Sequence, residues 1–293
     1  MSGTRLGLVC SRVRVEEKML LEAISRRPDT EVVRIEDDRI QAPLVGNPDP
    51  AGPAGYLRGC DVILLRGLGH FRQLAIARLA EAWGVPVVNP AAVIDTCGDK
   101  LRTTLALAAA GVPTPPARVA FTVEAALAAI EELGYPCVVK PTVGSWGRLL
   151  ARLGDRESAE AVLEHKTLLG GALHKVLYLQ AYVEKPGRDL RGFVVAGETV
   201  AVIGRRSQHW ITNTARGAVA EPVTVTEEMA ALCSRAALAV GGGAVAVDLL
   251  ESPGGLLVNE VNSTMEFRNS VAPTGVDLPG LLVGHALALA AQR

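Results

Sequence analysis

Between Val247 and Ser270 the chain reads VDLLESPGGLLVNEVNSTMEFRNS. Asp248 stands on one side of Pro253-Gly254-Gly255, and Glu260 and Asn262 stand on the other, all three in strand-like apolar sequence. With those three residues as the loop, Ser252 faces Leu256. Counting back then sets Asp248 opposite Glu260, with Asn262 two residues further along the same face. Carboxylates directly opposite each other repel, and a hard cation between them removes that penalty. Mg2+ takes one or two carboxylates with phosphate oxygens and water, and an amide side chain supplies a neutral oxygen. A solvent-facing polar stripe is the other reading, because Asn259 is polar too.

A second signal is VVKPTVGSWGR, where Lys140 ends an apolar run and the loop Gly144-Ser145-Trp146-Gly147 follows, with Arg148 after it. Glycines let backbone N–H groups approach a phosphate closely, and a lysine adds a point charge. The phosphate-binding pattern GxxxxGK[ST] is absent, and an ordinary hairpin loop beside a surface lysine remains open. Gly241 to Ala246 formally fits GxGxxA, but it leads from a helix into a strand, the reverse of the dinucleotide arrangement. A third signal is cationic. RDLRG carries Asp189 and Arg191, and GRRSQHWITNTARGA carries Arg205, Arg206, Asn213 and Arg216. Guanidinium forks suit phosphate and carboxylate oxygens; a solvated basic surface is the alternative. These arginines, with Arg268, also offer a patch that would steer an acidic partner. No Ser/His/Asp order suggests a hydrolytic nucleophile.

The elements that must hold these groups follow from periodicity. RLGLVC, EVVRI, CDVILLRG and VPVVN read as strands alternating with helices EEKMLLEAIS and FRQLAIARLAEAWG, an α/β layer over the first part of the chain. DTCGDKLRTTLALAAAGVPTPP reads as one helix with a stop at Gly111, and a domain boundary falls near it. TVEAALAAIEELG is a helix with Thr122 as N-cap and Gly134 as its stop. An α+β block follows, with a strand in KVLYLQAYVEK. GFVVAGETVAVIGRR is a hairpin around Ala196-Gly197-Glu198, TEEMAALCSRAALAVGG a helix, and VDLPGLLVGHALALAAQ a closing helix.

The whole chain has 293 residues, 49% of them hydrophobic and only 4% aromatic, so its core is built from Ala, Val and Leu. A formal net charge of −1 gives no global field for nucleic acid or an acidic membrane. Its five cysteines are scattered, with no CxxC pair, as in reduced cytoplasmic proteins. Neither a signal peptide nor a membrane-length apolar run is evident.

Taken in order, CGDK, KPTVGSWGRLLARL, LEHKTLLGG, YVEKPGRDLRGFVV, RRSQHWITNTARGA and LLVNEVNSTMEFRNSVAPTGVDLPG resemble the ATP-grasp superfamily. Within it they are most similar to the RimK-like LysX ligases, which act on an amino-group carrier protein in lysine biosynthesis. The similarity covers nearly the whole chain and is weakest before about residue 85. Ser263 stands where close relatives would carry His. The resemblance implies an α/β and α+β ATP-grasp fold, with an N-terminal pre-ATP-grasp domain (1–98), a lid subdomain (99–178) and a core carrying the metal hairpin (179–293). It implies ATP and Mg2+ as cofactors. By resemblance, adenine lies against Gln180, Ala181, Tyr182 and Val183. Lys140 reaches the α- and β-phosphates with Lys100 nearby. Gly144, Ser145, Trp146, Gly147 and Arg148 cover the phosphates as a lid. Asp189 holds the ribose or orients Arg191. Arg191, Arg205 and Asn213 neutralise developing charge, while Arg206, Asn213, Arg216 and Arg268 take substrate carboxylates. Asp248, Glu260 and Asn262 hold the metal.

The implied reaction activates the C-terminal Glu side chain of a small acidic carrier protein, LysW, as an acyl phosphate, and the α-amino group of α-aminoadipate displaces the phosphate. Glutamate as the amine, a RimK-type protein glutamyl ligase, and a nucleotide-binding regulator without chemistry are the competing readings. The chain is expected to be cytoplasmic and a homo-oligomer.

Overall fold

A computed structural model describes residues 3–212 and 217–292. The first layer is a parallel sheet of order β2-β1-β3-β4. It is built in chain order from β1 (Thr4–Val9), α1 (Val15–Ser25), β2 (Thr30–Ile35), α2 (Pro53–Arg58), β3 (Val62–Leu65), α3 (His70–Ala82) and β4 (Val87–Val88). Strand β3 is Val-Ile-Leu-Leu and wholly buried, as expected of a strand covered on both faces.

The expected single helix after β4 is two. Asp99 takes extended backbone angles and its carboxylate accepts from the Leu101 N–H at 2.8 Å. This N-cap ends α4 (Ala91–Gly98) and starts α5 (Lys100–Ala109), which makes Lys100 the first residue of a helix.

The second layer is an antiparallel sheet of order β5-β8-β6-β7. It contains β5 (Ala117–Ala120), α6 (Val123–Leu133), β6 (Cys137–Lys140), β7 (Ala151–Leu153), α7 (Arg156–Leu169) and β8 (Leu177–Ala181). Thr122 caps α6 by accepting from the Ala125 N–H, as its position predicts. Sequence patterning did not reveal β5, whose four residues ARVA are too short for a period to show. A division at residue 178 falls inside β8.

The third layer, order β11-β10-β9-β12-β13, is antiparallel. It comprises β9 (Arg188–Val195), β10 (Glu198–Arg206), β11 (Val219–Pro222), α8 (Glu227–Ala239), β12 (Ala244–Ser252) and β13 (Gly255–Asn262). Helix α8 packs on one face, with Cys233 and Ala237 against Val194, Val202 and Val247. After the short α9 (Val271–Thr274), α10 (Leu278–Ala290) returns to the first layer. Its Leu282 and Val283 share a core with Leu6, Leu8 and Leu20, and with Phe193 and Ile203 of the third sheet. No helix among the described residues is long and apolar enough to cross a membrane.

The hairpin β12–β13 differs from expectation in one informative way. Ser252 pairs with Gly255, so the loop is two residues, not three. A bulge between Val258 and Glu260 takes up the difference, and Asp248 still faces Glu260. The extra residue is Asn259. Before the bulge, Val258 belongs to the core under α8; after it, Val261 does. The bulge therefore changes which parity of residue faces inward, and it turns Glu260 and Asn262 to the opposite face.

Candidate active site

That opposite face floors a cavity of about 440 Å³. Each layer contributes to its walls: Gly67, Leu68, His70 and Phe71 from the first, Lys140 and Gly144 to Gly147 from the second, and Asp189, Arg191, Arg205, Asp248, Asn259, Glu260 and Asn262 from the third. Register explains the convergence. Asp248 faces Glu260 on one side and Arg191 on the other, and Asp189 faces Arg205.

The buried charges are paired with care, as burial demands. Arg191 donates to both Asp248 oxygens, from Nε at 2.7 Å and Nη2 at 2.9 Å. Arg205 forks onto Asp189 at 2.7 and 2.8 Å, and its Nη2 lies 3.0 Å from Asp248. Burial alone would raise the Asp248 pKa, but Arg191 and Arg205 outweigh it and hold the carboxyl at about 2. Burial likewise opposes the Arg205 charge, and Asp248 and Asp189 outweigh it, so its pKa lies above the ordinary value. Thr212 Oγ1 donates to Asp189, and Lys185 Nζ donates to Thr212 at 2.7 Å.

Lys140 is buried at the end of β6. Its Nζ donates to Gln180 Oε1 at 2.6 Å and Asn259 Oδ1 at 3.2 Å. Burial pushes its pKa down to about 8 against the pull of the Glu260 carboxylate. Lys100 Nζ donates to the Gly144 carbonyl at 2.9 Å, tying α5 to the glycine loop. Trp146 takes a positive φ of 59°, and its indole N–H points at Glu266 Oε1, 3.3 Å away. Glu266 in turn lies 4.0 Å from Arg14. The loop is thus held above the floor from both sides.

Of the residues singled out from sequence, Lys100, Lys140, Gly144, Ser145, Trp146, Gly147, Gln180, Ala181, Tyr182, Val183, Asp189, Arg191, Arg205, Asp248, Glu260 and Asn262 line this one cavity. Three others do not. Arg148 lies over the Trp146 ring at 5.1 Å. Arg206 faces away, forked onto Glu221 at 3.0 Å from both Nε and Nη2. Arg268 lines a smaller adjoining cavity with Arg191, Arg205, Glu266, Asn269 and Ser270. Asn213 and Arg216 lie outside the described residues. The expected steering patch is weaker than the sequence implies. Arg205 is buried, Arg191 nearly so, and both, with Arg206, already face carboxylates.

Sequence reading missed Asn259, Lys185, Thr212 and Glu266, together with the side-chain role of Gln180. Asn259 lay within the quoted NEVN and was read only as a possible surface residue. The others are joined to the site across strands or loops, which no spacing announces.

The donor set fits a hard divalent cation. Among the described residues, Glu260 has no hydrogen-bonding or ion-pair partner despite facing a second carboxylate, and the buried Nδ2 of Asn262 is also without one. No group of three or more His, Cys, Asp or Glu among the described residues forms a protein-only metal cage. Two carboxylates with an amide match Mg2+ completed by phosphate and water.

Comparison with known proteins covers nearly the whole chain. Residues 6–96 match the LysX pre-ATP-grasp domain, and residues 97–285 match the RimK-like ATP-grasp domain. The chain is 31% identical over 96% of its length to a glutamate–LysW ligase, ArgX, of Sulfurisphaera tokodaii, covering 97% of that protein. It is also 31% identical over 95% of its length to the α-aminoadipate–LysW ligase LysX of the same organism, covering 96% of it. The crystal structure of a RimK-domain ATP-grasp protein from Sphaerobacter thermophilus superposes with a TM-score of 0.81 at 29% identity, over 97% of this chain and all of that one. A RimK-like ATP-grasp domain behind a LysX-type pre-ATP-grasp domain makes the chain a member of the RimK-like family of ATP-grasp ligases.

Proposed function

We propose that the protein joins the α-amino group of α-aminoadipate to the γ-carboxyl of the C-terminal Glu of a small acidic carrier protein of the LysW type. ATP is consumed, and ADP and phosphate are released. One observation carries the reading: end-to-end similarity to LysW ligases in a chain whose polar groups converge on a single cleft. Residues 1–98 act as the pre-ATP-grasp domain, while 99–178 and 179–293 act as the two halves of the clamp, in a homo-oligomer.

A carboxylate is a poor acylating agent until one oxygen becomes a good leaving group. The carrier carboxylate attacks the γ-phosphate and becomes an acyl phosphate, and the incoming amine then displaces phosphate to leave an amide. Such transfers need alignment and charge stabilisation more than covalent help from the protein. In this reading Lys140 faces the α- and β-phosphates and Lys100 holds the glycine loop over them. Arg205 and Arg191 meet the charge that develops on the transferred group. Gln180 to Val183 offer β8 backbone to the base. Asp248, Glu260 and Asn262 would hold Mg2+, which neutralises phosphate charge when bound. The loop at Gly144 to Gly147 excludes water from an intermediate that water would destroy.

Glutamate is the second reading, because the match to a glutamate–LysW ligase is as long as that to the aminoadipate enzyme. Mass spectrometry of a LysW-type carrier after incubation with ATP and either amino acid separates the two, since the products differ by a methylene. A mass gain with α-aminoadipate and none with glutamate is expected. A gain with glutamate alone supports the second reading, and a carrier unmodified by both removes the proposal.

A further inference from the structure

Lys140 stands where two layers meet, and its ammonium is held from both. Its Nζ donates to Gln180 Oε1 at 2.6 Å and to Asn259 Oδ1 at 3.2 Å. Gln180 belongs to β8, the strand paired with β6, which carries Lys140. It is itself oriented from behind: its Nε2 donates to the Tyr178 hydroxyl at 3.4 Å, and that hydroxyl lies 2.8 Å from Thr104 Oγ1 of α5. Asn259 comes from the other sheet. It is the extra residue of the β13 bulge. The residue before it is pinned, because the Val258 N–H donates to the Pro113 carbonyl at 2.8 Å. Both acceptors of the lysine are neutral amides, in a cavity whose floor already carries Asp248 and Glu260.

We propose that Asn259 is the positioning residue for Lys140: its side-chain oxygen draws the ammonium toward the cavity floor without neutralising it, so that lysine and floor meet one phosphate chain in fixed register. The inference rests on the reading above that Lys140 faces the α- and β-phosphates. A lysine is a point charge on a flexible four-carbon stem, so burial of the stem does not fix where the charge sits. Two amide oxygens occupy two of its three N–H donors and leave one for an anion. A carboxylate at position 259 would make a charge-assisted bond instead and compete with phosphate for the same ammonium. An apolar side chain there would leave Lys140 with Gln180 alone, drawn back into its own sheet. The bulge then has two effects at one point. It turns Glu260 and Asn262 to the cavity, and it delivers an acceptor to the second layer. The lysine of one layer and the floor of the other are therefore aligned before nucleotide arrives.

The test is calorimetric titration with Mg2+ and a non-hydrolysable ATP analogue of the wild type, Asn259→Leu, Asn259→Asp, Lys140→Met and the double variant Asn259→Leu/Lys140→Met. Lys140→Met is expected to weaken analogue binding by about tenfold or more, and Asn259→Leu by about fivefold, as on loss of a hydrogen bond to a charged group. In the Lys140→Met background, Asn259→Leu should cost less than about twofold further, because residues that act as one unit are not additive. Asn259→Asp keeps the shape and the acceptor, yet should weaken binding at least as much as Asn259→Leu. In steady-state ADP release, Asn259→Leu should raise KM for ATP by more than it lowers kcat. An equal loss in both backgrounds overturns the proposal, and so does wild-type affinity in Asn259→Asp. If Asn259→Leu does not fold, Asn259→Ser, polar but too short to reach the ammonium, decides by the same cycle. Normal analogue binding by Lys140→Met would sink the phosphate role of Lys140 itself. That result is distinct from weak binding by Lys140→Met beside wild-type affinity in Asn259→Leu, which sinks only the positioning role.

Discussion

Glu260 brings a charge into the cavity without a hydrogen-bonding partner among the described residues, while Asp248 opposite it is held by two arginines. The two positions should therefore answer differently to substitution. Glu260→Gln removes a carboxylate that pairs with no arginine among the described residues. Turnover should fall by about a hundredfold or more, as on loss of one preorganised charge-stabilising group, while the thermal midpoint stays near that of the wild type. Asp248→Ala should lose comparable activity and also stability, because Arg191 and Arg205 are left without their shared partner. Breaking one side of a buried pair costs roughly 3–5 kcal/mol. Steady-state ADP release and urea unfolding on both variants check the contrast, and equal stability losses would contradict it. That Asp248 faces Glu260 could be counted from the sequence, although the turn it was counted from has two residues rather than three and the bulge at Asn259 restores the register. Their arginine partners were legible only as residue types, since pairing Arg191 with Asp248 requires knowing that β9 lies beside β12.

At the scale of elements, Asn89 ties the hairpin to the first layer. Asn89, buried after β4, accepts from the Ala244 N–H at 2.7 Å and donates to the carbonyls of Ala244 and Ser263. It thus grips the start of β12 and the residue after β13. Asn89→Ala leaves buried backbone groups unpaired, at about 1–3 kcal/mol for such a group, and should lower activity through misplacement of the floor. Urea midpoints and ADP release together test this. A second joint is ionic. Glu17 of α1 accepts from the Arg14 side chain at 2.9 and 3.0 Å and from Arg66 Nε at 3.2 Å, and Arg66 Nη1 donates to the Met265 carbonyl. Burial would raise the Glu17 pKa, but Arg14 and Arg66 outweigh it and hold it below its ordinary value of 4.5. A carboxyl depressed by folding adds stability that is present above its unfolded pKa and is lost as pH falls through the folded one. The protein should therefore lose stability progressively below about pH 4.5, and Glu17→Gln should flatten that acid limb while lowering stability at neutral pH. Unfolding midpoints across the range measure both. None of this was visible in sequence. Buried Glu16 and Glu17 sit on an unremarkable acidic first turn, and a helix of two halves split at Asp99 reads as one because its apolar spacing continues through the break.

The molecule as a whole closes around its loop. Trp146 belongs to the second layer, Glu266 to the segment after the third, and Arg14 to the first, and they meet in one line. Trp146→Phe removes the indole donor and keeps the ring. Amide exchange across residues 143–150 should then quicken in the nucleotide-free protein, and ADP released without amide formation should rise several-fold as water reaches the intermediate. In the wild type, exchange there should slow on adding a non-hydrolysable ATP analogue. Identical exchange with and without nucleotide would deny the loop a covering role. The layered architecture could be read from strand and helix alternation, because each layer buries its own apolar period. How the layers face one another could not, since it is set by α10 returning to the first sheet and by contacts of long sequence separation.

The short turn and the bulge at Asn259 have a bearing on how such a site can change over evolutionary time. Relative to a plain hairpin, the turn has one residue fewer and the strand one more, so the two are a matched deletion and insertion. Either change alone would rotate Glu260 and Asn262 into the layer beneath α8 and bring Val261 to the cavity floor. A lineage can lengthen this turn only by removing the bulge in the same step, or by passing through an inactive ancestor. Length variation at the hairpin tip, ordinarily a permissive place in a sheet, would here displace the facing carboxylates themselves.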